Sequence, residues 1–316
     1  MTYTILERGF VMDENRPTPS CHASTIVPVE GGYLCAWFGG SREGDSDVKI
    51  WLSRYTGGSW QDAVCVSQEE DVAHWNPVLF RNGDTVYLFY KVSEAISTWK
   101  TMVRTSLDEG GTFSPARELV PGDVSGGRGP VKNKPLKLSD GSILCPASRE
   151  YADLTWRVFA DRTADGFATL TRTEFVMPAD PAVKLIQPSF FEDVNGIHML
   201  MRSDRGLIYR ADSADLGKTW GPAYPTAMPN NNSGLDLVGL PDGRIFLVCN
   251  PVGENWGKRS PLTLFVSTDG AASFQKVLDL ETEEGEFSYP AILYDGALRI
   301  TYTHKRERVA YAFLRV

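Results

Sequence analysis

The chain has 316 residues, of which 42% are hydrophobic and 23% charged, the balance of a folded globular protein rather than a disordered or fibrous one. Its formal net charge of −8 argues against non-specific binding to nucleic acid or to an anionic membrane surface. No apolar run is long enough to cross a bilayer as a helix, whereas an anionic small ligand stays open, because a basic pocket can sit in an acidic protein.

The N-terminal stretch Met-Thr-Tyr-Thr-Ile-Leu-Glu-Arg lacks the basic segment, apolar run and small-residue cleavage site of a signal peptide. Cysteines stand at 21, 35, 65, 145 and 249, an odd count at spacings that match neither zinc binding nor a disulfide framework. Buried free thiols are expected, and with them a cytoplasmic location. No metal and no other cofactor is expected.

Along the chain there is no sustained helical periodicity. Short apolar or alternating runs such as 33–38, 85–91, 197–202 and 244–249 recur between clusters of Gly, Asp, Asn and Pro, which predicts an all-β fold. Two internal repeats narrow that prediction. The first is a turn motif. Ser106-Leu-Asp108-Glu-Gly110-Gly-Thr112-Phe113 matches Ser213-Ala-Asp215-Leu-Gly217-Lys-Thr219-Trp220, with looser copies at 163–170 and 267–274 and one at 53–60 that lacks the Asp. The Asp side chain accepts turn amides, Gly permits positive φ, and the aromatic anchors the hairpin, so these acids are structural and are not candidate catalysts.

The second repeat opens each unit with a polar residue, often followed by Pro, then an apolar strand and a tight turn. Asn76-Pro leads to Asn82-Gly83, Lys134-Pro to Asp140-Gly141, Gln187-Pro to Asn195-Gly196, and Tyr289-Pro to Asp295-Gly296; His22-Ala and Ser233-Gly fit the frame without Pro. Six units at intervals of roughly 50 residues predict one six-bladed β-propeller domain over residues 1–316. First strands of blades line a propeller's axis, so His22, Asn76, Lys134, Gln187, Ser233 and Tyr289 are expected to form a ring there. Pro suits such an unpaired edge. Thr2 to Phe10 is expected to complete the last blade and close the fold.

These motifs, together with Trp37-Phe-Gly-Gly-Ser-Arg42-Glu43, Lys132-Asn-Lys-Pro and Asn232-Ser-Gly, resemble the sialidase superfamily in its BNR-repeat branch, over nearly the whole chain. The resemblance implies the sialidase-like propeller with Asp-box turns, and a pocket in which arginines clamp the substrate carboxylate, a Tyr nucleophile pairs with a Glu, and an Asp serves as acid and base. Carried over by residue, the Tyr is Tyr289 and the acid/base is Asp45 or Asp47. The third clamp arginine resembles Arg259. The first falls in Cys21-His22-Ala23-Ser24 and the second at Asn250, so both are absent. The Glu falls at Ser233 or Gly234, with Asp236 the nearest acid.

The residues themselves add further candidates. Asp45 and Asp47 share a face if their segment is extended. His22 and His74, near the expected ring on neighbouring units, are candidate acid/base groups, because an unperturbed imidazole titrates near neutrality. Lys132 and Lys134 flank Asn133 on an expected strand, a costly place for unpaired charge, and with Arg42, Arg202 and Arg259 they suggest an anionic ligand. Asn76, Gln187 and Asn232 suit sugar hydroxyls, and Trp75 suits a sugar face. The function expected is an exo-acting glycoside hydrolase on an acidic mono- or oligosaccharide, sialic acid first. A uronate-specific lyase, using His22 or His74, Lys134 with Arg42, and Tyr289, is the alternative, and a non-catalytic sugar-binding propeller is the third.

Overall fold

The computed structural model describes residues 3–67 and 71–316. Within them the chain is all-β, and six antiparallel sheets follow one another as the blades of a six-bladed β-propeller. Blade one is Ser20–Val29, Gly32–Gly40, Lys49–Thr56 and Ser59–Trp60, with Val64–Cys65 also pairing its third strand. Blade two is His74–Asn82, Thr85–Val92, Lys100–Ser106 and Arg117–Glu118. Blade three is Leu136–Lys137, Ile143–Glu150, Trp156–Thr163 and Thr171–Arg172. Blade four is Leu185–Asp193, Gly196–Ser203, Leu207–Ser213 and Tyr224–Pro229. Blade five is Asp236–Gly239, Ile245–Cys249, Leu262–Ser267 and Gln275–Glu281. Blade six takes Phe287–Tyr294, Leu298–His304 and Arg308–Arg315 from the end of the chain and Thr4–Phe10 from its start. Thr4 pairs with Arg315 and Phe10 with Ala310, so the expected closing strand is present; Thr2 lies outside the described residues. No helix is long and apolar enough to cross a membrane.

The described chain divides into two compact units, residues 1–134 with 289–316, and residues 135–288. In each, the core forms because the two-residue period of a strand sends alternate side chains to opposite faces. In the second unit Met199 and Met201 join Phe190, Leu144 and Val158 on one side of blade four. Leu200 joins Phe191, Leu237 and Leu247 on the other. In the first unit Leu34, Phe38 and Ile50 meet Leu79, Leu88 and Tyr90, while Trp37 and Cys35 meet Val309 and Phe313. Each such side chain contributes about 1.5–3 kcal/mol by leaving water. All five cysteines are free, and four are buried; burial pushes the Cys21 and Cys249 thiols up to about 12.

The Asp-box turns are built as the motif requires. The Asp108 carboxylate accepts the Thr112 amide at 2.9 Å and its hydroxyl at 2.8 Å, and Ser106 Oγ at 2.7 Å; Asp165, Asp215 and Asp269 repeat the pattern. In the copy that lacks Asp, Ser53 Oγ instead donates to Gln61 O at 2.6 Å. The Thr112 amide and the Ser106 and Thr112 hydroxyls hold Asp108 at about 2, and the Thr169 hydroxyl and amide hold Asp165 there too. An unfolded Asp titrates near 4. Because the folded value is the lower one, this stabilisation is complete above roughly pH 4 and is lost as pH falls towards 2. Acid unfolding followed by circular dichroism is therefore expected to fall in that window, with a shallower acid dependence in a D108N/D165N variant. An identical acid profile in the variant would show that the turns do not set it.

The second repeat has a conformational signature. One non-glycine residue of positive φ recurs near the start of every blade: Ala23 (55°), Asn76 (39°), Lys132 (62°), Gln187 (53°), Asn232 (61°) and Tyr289 (52°). Strand register shifts at three of them, between His22 and Thr25, Trp75 and Val78, and Ile186 and Ser189. A left-handed residue inside a strand costs on the order of 1 kcal/mol and persists only where its surroundings over-determine it. The kink coincides with the expected residue at Asn76, Gln187 and Tyr289, and falls at Ala23 rather than His22, at Lys132 rather than Lys134 and at Asn232 rather than Ser233. The proline frame misplaced the third position because the kink there precedes Pro135 by three residues, in a tight turn where the Asn133 amide donates to Val131 O at 2.6 Å.

Candidate functional site

In the first unit the kinks gather a compact polar group. The Tyr289 ring is half-buried, with its centroid 4.1 Å from that of His22 and the planes tilted by 45°. His22 Nδ1 is 2.9 Å from Thr303 Oγ1, and its ring meets Phe38 edge-on at 5.7 Å. The Lys132 ammonium lies 5.9 Å from the Tyr289 centroid and donates to Pro290 O at 2.5 Å and to Asn133 Oδ1 at 2.8 Å. Lys132 is only 3% exposed. Carbonyl and amide oxygens replace the water that its charge has lost, and they fix the ammonium against the phenol ring. The segment containing Lys132 is a bend rather than a strand, so Lys132 and Lys134 do not share a strand face, and Lys134 lies off the kink.

The segment 41–47 of the same unit is a turn and not extended, so Asp45 and Asp47 do not share a strand face. The Asp45 amide donates to Arg42 O at 3.0 Å, and the Asp45 carboxylate pairs with Arg42 at 3.0 Å. Asp47 accepts Ser41 N at 2.9 Å and Ser41 Oγ at 2.6 Å. Glu43 pairs with Arg306. The turn lies against Trp75, where a Cβ added at Gly44 would sit 3.4 Å from that ring, and its φ of 94° calls for glycine. Trp75 is itself a core residue. It packs on Phe38 at 6.1 Å and Trp99 at 5.8 Å and donates to Ser93 O, which corrects its expected role as a sugar platform. His74 is corrected likewise: fully buried, bonded to Ser67 Oγ at 2.6 Å and stacked on Tyr90, it holds the core.

The second unit carries a different group around Arg202, which is 2% exposed on the second strand of blade four. Its Nε donates to Asn232 Oδ1 at 2.9 Å and its Nη1 to Gln187 Oε1 at 3.1 Å, so two kink residues orient one guanidinium. Hydrogen bonds to amides fix the direction of a guanidinium and leave its charge in place. The guanidinium lies 5.9 Å from the Trp156 ring and 5.7 Å from that of Trp256, and Asn255 Oδ1 accepts from Asn232 Nδ2 at 3.0 Å. Asp236 is buried and accepts Ser189 Oγ at 2.6 Å and its neighbour's amide at 2.9 Å, so it holds the strand start and is not a site acid. Asn250 is likewise structural, donating to Pro261 O and Phe287 O. Arg259 is paired with Glu286 at 2.6 Å.

Sequence reasoning missed Trp156, Trp256, Asn255 and Lys184. An available signal was Asn255-Trp256-Gly257, an aromatic residue in a stretch otherwise made of loop formers.

A family model described as a BNR repeat-like domain matches residues 31–300. The chain belongs to this family. Among solved structures, this BNR repeat-like protein is similar to a protein of unknown function from Dyadobacter fermentans DSM 18053, with a TM-score of 0.80, 14% identity and 99% of each chain covered. It is also similar to the Hadza microbial sialidase Hz136, with a TM-score of 0.78 and 14% identity over 96% of this chain and 68% of that one. Trypanosoma rangeli sialidase aligns with a TM-score of 0.73 and 15% identity over 94% of this chain. The chain spans about half, 54%, of that sialidase, which has also been solved in complex with sialic acid. These likenesses concern the fold. No curated protein sequence matches the chain.

Proposed function

We propose that this BNR repeat-like protein is a sialidase-like exo-glycoside hydrolase acting on an acidic sugar, with sialic acid the first substrate to try. The observation that carries the reading is Tyr289, held by a left-handed kink with His22 against its ring and the Lys132 ammonium 5.9 Å from it. A carboxylate nucleophile would be repelled by the substrate's own carboxylate, whereas a neutral phenol is not. Tyr289 is the nucleophile in this reading: His22 accepts the phenolic proton as the phenol oxygen bonds to the anomeric carbon and the bond to the leaving oxygen breaks, Lys132 stabilises the phenolate character of the ring, and water then cleaves the glycosyl–Tyr bond and returns the phenol its proton. Asp45 or Asp47, on the turn that rests on Trp75, protonates the leaving oxygen. In the second unit, Arg202 presents an oriented charge suited to an anionic sugar substituent.

The same trio favours a second reading. β-Elimination on a uronate needs a base for the proton next to the carboxylate and a cation for the enolate, and Tyr289, His22 and Lys132 are residues of those kinds. Incubation with sialosides and uronate-terminated oligosaccharides, followed by mass and ultraviolet absorbance, separates the two. Release of the free acidic sugar is expected. An unsaturated uronate would replace hydrolysis with elimination, and binding without any product would leave a sugar-binding propeller.

A further inference from the structure

Lys184 stands just before the first strand of blade four, half-buried, with its ammonium 5.6 Å from the Trp156 ring. Among the described residues no carboxylate side chain pairs with that ammonium. The Arg202 guanidinium lies 5.9 Å from the same ring, so two cations flank one indole. Trp256 stands edge-to-face with Trp156 at 6.2 Å and is 60% exposed. Its backbone is held in place. Its amide donates to Asn231 O at 3.1 Å, Asn231 Nδ2 donates to Gly257 O at 3.2 Å and Lys258 O at 2.6 Å, and Trp256 itself adopts φ 58°. An exposed indole on a fixed backbone, packed edge-on against Trp156, offers a large contact area at little cost in conformational entropy. Two positive charges within about 6 Å of one ring favour a ligand that carries two negative charges.

We propose that this surface of the second unit is a subsite for two consecutive acidic sugars: Arg202 holds the anionic group of one, Lys184 that of the next, and Trp256 stacks on a ring face. The ligand class is then a short oligomer of acidic sugars rather than an acidic sugar on a neutral partner. This rests on the reading of Arg202 as the holder of an anionic sugar substituent.

The test is calorimetric binding of the full chain to N-acetylneuraminic acid and its α2,8-linked dimer, and to galacturonic acid and its α1,4-linked dimer, so that the two sources of a repeated carboxylate are separated. One dimer is expected to bind at least about tenfold more tightly than its monomer. K184Q is expected to remove most of that advantage while leaving monomer affinity within about twofold, K184R is expected to keep it, and W256A, which takes away the stacking face, is expected to weaken dimer binding at least about tenfold. Thermal melts confirm that the variants fold. A dimer that binds no better than its monomer, or an advantage untouched by K184Q, overturns the two-sugar subsite and leaves the Arg202 reading standing. Failure of all four sugars to bind overturns the Arg202 reading and the subsite with it.

Discussion

Replacement of Tyr289 with Phe is expected to leave the fold intact and to lower turnover of the acidic glycoside on the order of 10³-fold or more. The substitution removes one hydroxyl. The ring contact with His22 at 4.1 Å and the approach of Lys132 are made by the ring and survive in Phe. The cost therefore falls on the chemical step: kcat drops while KM moves little, because the lost interaction belongs to the transition state. Steady-state kinetics beside a thermal melt reads both. A Y289F variant that works at the wild-type rate would remove this hydroxyl from the reaction, and with it both the hydrolase and the elimination readings of Tyr289.

The second large effect is expected at Arg202. An R202M variant is expected to lose about 100-fold or more in affinity for an acidic sugar, equivalent to about 2.7 kcal/mol, and to bind the uncharged methyl ester no worse than wild type does. It should also be less stable by about 1–3 kcal/mol, because Asn232 Oδ1 and Gln187 Oε1 lose a buried donor. R202K keeps the charge but not the planar fork that bonds both amides, so it is expected to recover only part of the affinity. Equal losses for the acid and its ester would mark Arg202 as a brace for the blade-four kink and not as a reader of charge.

Much of the architecture was legible in the residues. Six recurrences of a polar opening before an apolar strand, five of them with Asp-Gly or Asn-Gly after it, marked the blades, and Ser106 to Phe113 and its copies marked the turns. Both are local: a turn or an alternating strand is specified by residues a few positions apart. The same locality explains why the repeat frame falls on the positive-φ kink at Asn76, Gln187 and Tyr289.

The candidate site was legible only in part, because a kink in a strand breaks the two-residue alternation on which such reading depends. Where proline followed the kink directly, as at Asn76, Gln187 and Tyr289, the frame held; at Ala23, Lys132 and Asn232 it slipped by one or two residues. His74, Trp75 and Asp236 have the side chains of site residues, yet they are spent on Ser67 and Tyr90, on Phe38 and Trp99, and on Ser189. The sequence by itself determined the all-β blades, their Asp-box turns and the closing strand at the N-terminus, since each depends on short-range pattern. Only the tertiary structure decided that Lys132 and His22 both meet the Tyr289 ring, or that Arg202 lies beside two tryptophans. Those partners stand far apart along the chain, and burial and kink geometry, not spacing, bring them together.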